Sequence, residues 1–340
     1  MSEITRPVSP KARPAHGMPT HTWQHSRKTS FAAVAAVLTL LLVVPIVLGS
    51  RDGGAPTASA REVLTQLAQV SAAQPALSLG QGQYLDHKSI TMHRVQQGSY
   101  TLLVTTSRET WVASNGTGLQ EEHAVDVSFE SPADKAAWEQ SGERLIWGNF
   151  SNLGLNGQPS VCNYTTPGQL STENLDSLPS DPDALEQALR AEIIHGDIAA
   201  SSQAKQTSTM FEEIGYKLAN YPGPPQQRSA LFQVLARQPG IEALGSRTDH
   251  LGRSGTDIGS TWYGVRSEMI VDPATGQVLE FRAYQVDPPS SLGSGMDGTP
   301  SPGVGLNTDG VDDPGTLLRW STMVRMDVVN SLPPFTPTCG

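Results

Sequence analysis

The chain has 340 residues, two cysteines and a formal charge of −10, with 37% hydrophobic and 16% charged residues. Arg6, Lys11, Arg13, Arg27 and Lys28 against Glu3 alone give the first fifty residues a charge of +4, which leaves −14 on the rest. A body that acidic repels phosphate backbones and argues against nucleic acid as a partner, and its length suits one large domain or two small ones.

Residues 1–30 hold Pro, His, Ser and basic residues with no apolar periodicity, and read as a disordered cytoplasmic tail. The stretch Thr29–Ser50 then carries no charge, and FAAVAAVLTLLLVVPIVL (Phe31–Leu48) is almost wholly apolar. Roughly twenty such residues, rising about 1.5 Å each, span the hydrocarbon core. A transmembrane helix over 31–49 is therefore predicted, with its basic flank held in the cytoplasm. This signal-anchor makes the protein single-pass, type II, in the cell membrane, with its C-terminal domain extracytoplasmic. A cleavable signal peptide is the competing reading, because Ala58-Ser59-Ala60 has the A-x-A form. That site lies twelve residues beyond Leu48, and the apolar run exceeds the usual length of a signal peptide core, so retention of the anchor is favoured.

Residues 50–58 form a Gly/Pro linker, and 59–330 the extracytoplasmic domain. Ser59 and Glu62 make an S-x-x-E helix start, followed by Val63, Leu64, Leu67 and Val70 at helical spacing. Three strands are predicted next, at Ser89–Val95, Ser99–Ser114 and Glu121–Ser131, within a strand-forming region from Gln83 to about Ile146. Gln97-Gly98 and Asn115-Gly116-Thr117-Gly118 supply the turns of a meander. Helices follow at Ser177–Ile193, where Asp181 precedes Pro182 at the first helical position, at Ser208–Tyr221, and at Pro224–Gly240 with Ala230, Leu231, Val234 and Leu235 as a buried stripe. Trp262–Val271 and Gln277–Val286 make a hairpin across Asp272–Gly276. Residues 287–316 read as a long flexible loop. A last strand, Leu317–Val329, alternates Trp320, Thr322, Val324, Met326 and Val328 on one face, and 331–340 is a tail carrying Cys339. The fold class is α+β: a curved antiparallel sheet packed against helices, behind a transmembrane helix.

At these residues the chain resembles an actinobacterial family of single-pass membrane proteins of unknown function, known by a locus tag. The resemblance is carried by the anchor, Glu109–Trp111, Leu178–Leu185, Pro224–Ile241, Asp249–Gly255, Ser267–Leu279 and Val328-Val329. It implies a membrane-tethered envelope domain with no assigned reaction. The order of strands and helices is also similar to the half-barrel of lipoprotein carriers.

Both cysteines, Cys162 and Cys339, lie beyond the predicted membrane span, where disulfides persist. One bridge between them is expected, worth about 4 kcal/mol in the chain-entropy model. No catalytic, cofactor-binding or metal-ligating set is found. There is no G-x-S-x-G or H-E-x-x-H. His87, His93, His123, His195 and His250 are scattered singly, and Glu121, Glu122 and His123 are adjacent strand residues that cannot all face one point. Asn307–Asp313 lacks the acidic ends of a calcium loop, with Gly305 and Thr316 at those positions. Trp111, Trp138, Trp147, Trp262 and Trp320 are candidates either for core packing or for lining an apolar cavity. Asn115, Asn149 and Asn163 stand in N-x-S/T sequons, which matter only in a eukaryotic secretory pathway.

The reading is a non-enzymatic extracytoplasmic domain that binds a ligand or senses the envelope, with a lipid or small apolar molecule in a cavity between sheet and helices. An anti-sigma type of transmembrane regulator is the alternative, and a hydrolase with an unrecognised site a second one.

Overall fold

Two runs of strands that are far apart in sequence meet in one sheet. The computed structural model describes residues 59–141, 161–162, 177–221, 223–287 and 314–333. Among these are nine strands in the order β4-β3-β2-β1-β9-β8-β7-β6-β5, every neighbouring pair antiparallel. The first run is β1 (Tyr84–Gln97), β2 (Tyr100–Ala113), β3 (Gly118–Phe129) and the two-residue β4 (Val161–Cys162). The second is β5 (Ile241–Thr248), β6 (Ser254–Trp262), β7 (Val265–Val271) and β8 (Val278–Gln285). Strand β9 (Leu317–Val329) inserts between β1 and β8 and joins the two. The α+β class and the curved antiparallel sheet with helices agree with the expectation.

Helix α1 (Ala60–Ala72) begins where the sequence places it. Ser59 and Glu62 cap each other's backbone amides reciprocally, and Val63, Leu64, Leu67 and Ala68 are buried. Helices α3 (Pro182–Ile193), capped by Asp181, α5 (Gln203–Asn220) and α6 (Pro225–Arg237) complete the main core with α1. Leu185, Leu189, Phe211, Ile214, Leu231 and Leu235 are fully buried there, against Ile258, Met269 and Phe281 of the sheet. Each such side chain stabilises by about 1.5–3 kcal/mol relative to exposure.

The structure corrects several boundaries. Residues 132–140 are not strand: Ser131 accepts from the Asp134 amide, and Pro132 opens helix α2 (Pro132–Gln140). This helix covers a second small core of Tyr100, Leu102 and Val104 with Trp138 against Phe129. A four-residue helix α4 (Gly196–Ala199) precedes α5, which starts five residues before the predicted Ser208. Strands β5 and β6 were not expected, and Trp262 ends β6 rather than opening the next strand. The cause is a two-residue turn at Tyr263-Gly264, both at positive φ (54° and 73°). Such turns favour Asn or Gly at both positions, and Tyr263 hides this one.

Strand β9 has the predicted bounds but not the predicted face. Lys88 pairs with Arg325 and Ser89 with Met323, so Val324 is an extra residue and the alternation shifts there. Trp320 and Thr322 consequently lie on one face, and Met326 and Val328 on the other. The predicted span 31–49, the linker, Cys339 and nearly all of the 287–316 loop lie outside the described residues. Among the described residues, no helix is long and apolar enough to cross a membrane.

Candidate functional site

Three chain segments converge on the second half of β9 (Met323–Val328): the chain leaving α1 (Gln74–Ser78), the α5–α6 junction and the β7–β8 turn. Together with that strand they line an open-mouthed cavity of about 510 Å³. Each segment stops for a local reason. Gln74 is followed by Pro75, and Pro224-Pro225 brings no backbone donor to the start of α6. Asp272 organises the β7–β8 turn by accepting from the Ala274 amide and the Thr275 hydroxyl. Gly276, at φ 70°, lets this turn approach α1: a Cβ there would stand 2.2 Å from Ser71 Oγ. The bulge at Val324 places Met323, Met326 and Val328 together in the cavity wall, beside Leu279 of β8, and Leu77 and Leu218 also line it.

Among the described residues, Arg228, Arg253 and Arg325 are the charged residues at the cavity and no carboxylate lines it; Arg325 alternates with Met326 along β9, so its side chain turns to the other face of the sheet. Arg253 is committed elsewhere. It pairs with buried Asp249 at 2.6 Å and donates to the carbonyls of Leu279 and Met323. Arg325 lies between Asp86, at 2.7 Å, and Glu109. Arg228 donates to two backbone carbonyls instead, Leu218 O at 3.1 Å and Gly276 O at 3.0 Å. Burial pushes its guanidinium down to about 10, so it remains a cation at neutral pH.

The other face of the sheet carries a second cluster. Asp257 on β6, Glu268 on β7 and Glu280 on β8 are all fully buried, around Arg282, which is 3% exposed. Arg282 donates to Glu268 at 2.8 Å and to Asp257 at 3.0 Å. Arg247 and Arg266 close the rim onto Asp257 and Glu268, each more exposed than Arg282. His250 stacks on Trp320 and brings Nδ1 to 2.7 Å from Glu280, which also accepts from Thr322. Burial, with the Glu268 carboxylate nearby, pushes Asp257 up to about 6. Three acids against three arginines leave this cluster near neutrality, the condition for burying so many charges.

The sequence left open whether sheet and helices enclose a filled core or a cavity, and pointed to none of these arginines. The signal was present in Arg228, which stands three and seven residues before Leu231 and Leu235 and so falls on the buried stripe of α6. Glu280 and Arg282 alternate with apolar residues as an exposed face would, which concealed their burial. The described tryptophans do not line the cavity: Trp111 is buried, Trp138 packs on Phe129, Trp262 lies under Lys205, and Trp320 meets His250. Glu122 pairs with Arg108, and the His123 side chain and Trp147 lie outside the described residues. His87 is buried, its Nε2 3.3 Å from Met323 Sδ. No group of His, Cys, Asp and Glu able to hold a metal occurs among the described residues. Cys162 ends β4, and its proposed partner Cys339 lies outside them.

No family model and no curated protein matches the sequence. Among solved structures, the MucA/MucB complex of Pseudomonas aeruginosa aligns at a TM-score of 0.25 and 11% identity, over 81% of this chain and 58% of that one. A crystal structure of MucB aligns at a TM-score of 0.25 and 10% identity, over 83% and 62%. The chain thus spans less than two thirds of either length, and the likeness is a loose one of fold that identifies no family.

Proposed function

We propose that residues 59–330 are a non-catalytic ligand-binding domain on the outer side of the cell membrane, tethered through residues 31–49 with residues 1–30 inside. The observation that carries the reading is the cavity where the helical layer meets β8 and β9, whose size is usual for a small-molecule site. Its walls mix apolar and polar groups, and among the described residues neither histidine, carboxylate nor lysine lines it, so Ser78 and Thr275 have no base beside them there. The uncharged run with its basic flank supports the topology. Output to a cytoplasmic partner, as in an anti-sigma regulator, would have to pass through a tail of thirty residues without helical patterning. Envelope sensing is therefore the reading, with the cavity as its receptor.

Native mass spectrometry of the protein purified from its own host tests this. A co-purifying small molecule that is lost when Leu218→Trp fills the cavity supports the reading. A protein that carries nothing and binds nothing from a host lipid and metabolite extract removes it. Proteolysis of intact cells should degrade residues beyond about 55 and spare an N-terminal tag. A mature N-terminus at Arg61 would overturn the anchor.

A further inference from the structure

We propose that the cavity takes an anionic amphiphile, its carboxylate or phosphate head at Arg228 and the N-terminus of α6, its apolar tail against Leu77, Leu218, Leu279 and Met326. This rests on the reading of the cavity as a ligand site and adds the ligand's class. The first ground is the sign of the charge. The chain beyond residue fifty carries −14, yet among the described residues the charged side chains at this cavity are two arginines, Arg228 and Arg253, with no carboxylate. A site that concentrates positive charge within an acidic surface selects anions and holds them against the domain's own repulsion.

The second ground is which arginine has an open claim. Arg253 and Arg325 have carboxylate partners within 3 Å, whereas among the described residues Arg228 has only carbonyl oxygens. A guanidinium carries more donors than two carbonyls use, and its planar fork matches a carboxylate or phosphate edge. A half-buried cation without a counter-charge is costly, and an oxyanion in the cavity removes that cost.

The third ground is independent of that side chain. Helix α6 has 13 residues and starts at the cavity, where Gly223 and Pro225 line the wall. Its N-cap is Pro224. No side chain caps it, and the positive end of its dipole lies at the cavity wall beside Arg228. The apolar part of the wall decides against a bare inorganic anion, which would leave exposed Leu77 and half-buried Met326 uncovered.

The test is calorimetric titration of the full chain in phosphatidylcholine nanodiscs, with empty nanodiscs as reference. The probes are octanoate, octyl phosphate, octanol and inorganic phosphate. Octanoate and octyl phosphate are expected to bind at least about tenfold more tightly than octanol, as a charge-assisted pair to arginine warrants. The order of the two anions tells which head the site prefers. Arg228→Gln should weaken octanoate at least about tenfold and leave octanol within about twofold. Leu77→Glu, at an exposed wall position, should give the same pattern by repulsion without altering Arg228, and so serves if the first variant fails to fold. Octanol binding as well as octanoate, or octanoate unaffected by either variant, would overturn the anionic head while leaving a ligand cavity in place. Inorganic phosphate binding as tightly as octyl phosphate would overturn the tail. Failure of every probe to bind would overturn the proposal, and the cavity reading would fall with it if the host extract also gave nothing.

Discussion

Gly215 lies against Phe281 where α5 crosses β8: a Cβ at position 215 would stand 2.7 Å from Cε2 of the ring. This contact sets how closely the helical layer approaches the sheet. Phe281 cannot easily retreat, because its ring packs on Phe211 at a centroid distance of 5.8 Å and Met269 stands beside it as its partner on β7. Gly215→Ala gains about 1 kcal/mol of helix propensity but forces an overpacked contact costing about 1–3 kcal/mol, for a net loss of roughly 1 kcal/mol. Urea unfolding should show that loss. Gly215→Ala with Phe281→Leu should recover part of it relative to Phe281→Leu alone; strict additivity of the two would mean that the contact does not limit packing.

Arg282 is the hub of the buried charges on the opposite face. Arg282→Met leaves Asp257 and Glu268 buried without their principal partner, and should destabilise by about 3–5 kcal/mol. Arg247 reaches Asp257 from the rim at 2.9 Å with its side chain 42% exposed, so Arg247→Ala should cost under about 1 kcal/mol. Comparable losses in the two variants would show that water reaches the cluster.

Stability should fall with acidification. Burial, with Arg108 nearby, pushes His87 down to about 4, and burial with Arg319 and Arg108 does the same to His93. The unfolded imidazoles take up protons near 6.5 and the folded ones only near 4, so this contribution is complete above 6.5 and is lost as pH falls to 4. Asp257 acts in the other direction. Pushed up to about 6 from 3.8, it binds its proton first in the folded state, and its contribution is lost as pH rises through 6. Two histidines outweigh one aspartate. Denaturant titrations between about pH 4 and 7 should therefore show stability rising with pH, more steeply in Asp257→Asn. An unaltered slope in that variant would remove Asp257 from the explanation.

The Tyr263-Gly264 turn predicts opposite outcomes at adjacent positions. Tyr263 sits at φ 54°, where an L side chain other than Asn or Asp is strained by about 1 kcal/mol, and it is 38% exposed. Tyr263→Asn should raise the melting temperature, less whatever the tilted contact with Trp262 contributes. Gly264→Ala should lower it, because φ is 73° and the new Cβ would meet Asp287 O at 2.7 Å. A rise in both would mean that the turn relaxes to another type.

Much of the fold was legible because its signals are local. The Ser59–Glu62 box starts α1, Asp181-Pro182 starts α3, and Asp272–Gly276 turns β7 into β8, each within a few residues and each satisfying its own backbone groups. The acidic charge beyond residue fifty follows from counting. The tertiary structure decided what depends on partners distant in sequence. Alternation in β8 marks two faces but does not say that both are covered, so Glu280 and Arg282 look solvated until β6, β7 and β9 surround them. The bulge that turns Met326 toward the cavity exists only in the pairing of β9 with β1, more than two hundred residues apart. Arg228 shows the division within one residue. Its spacing in α6 places it on the buried stripe, but only the arrival of Leu218 and Gly276 beside it leaves a cation held, among the described residues, by carbonyls at the wall of a cavity.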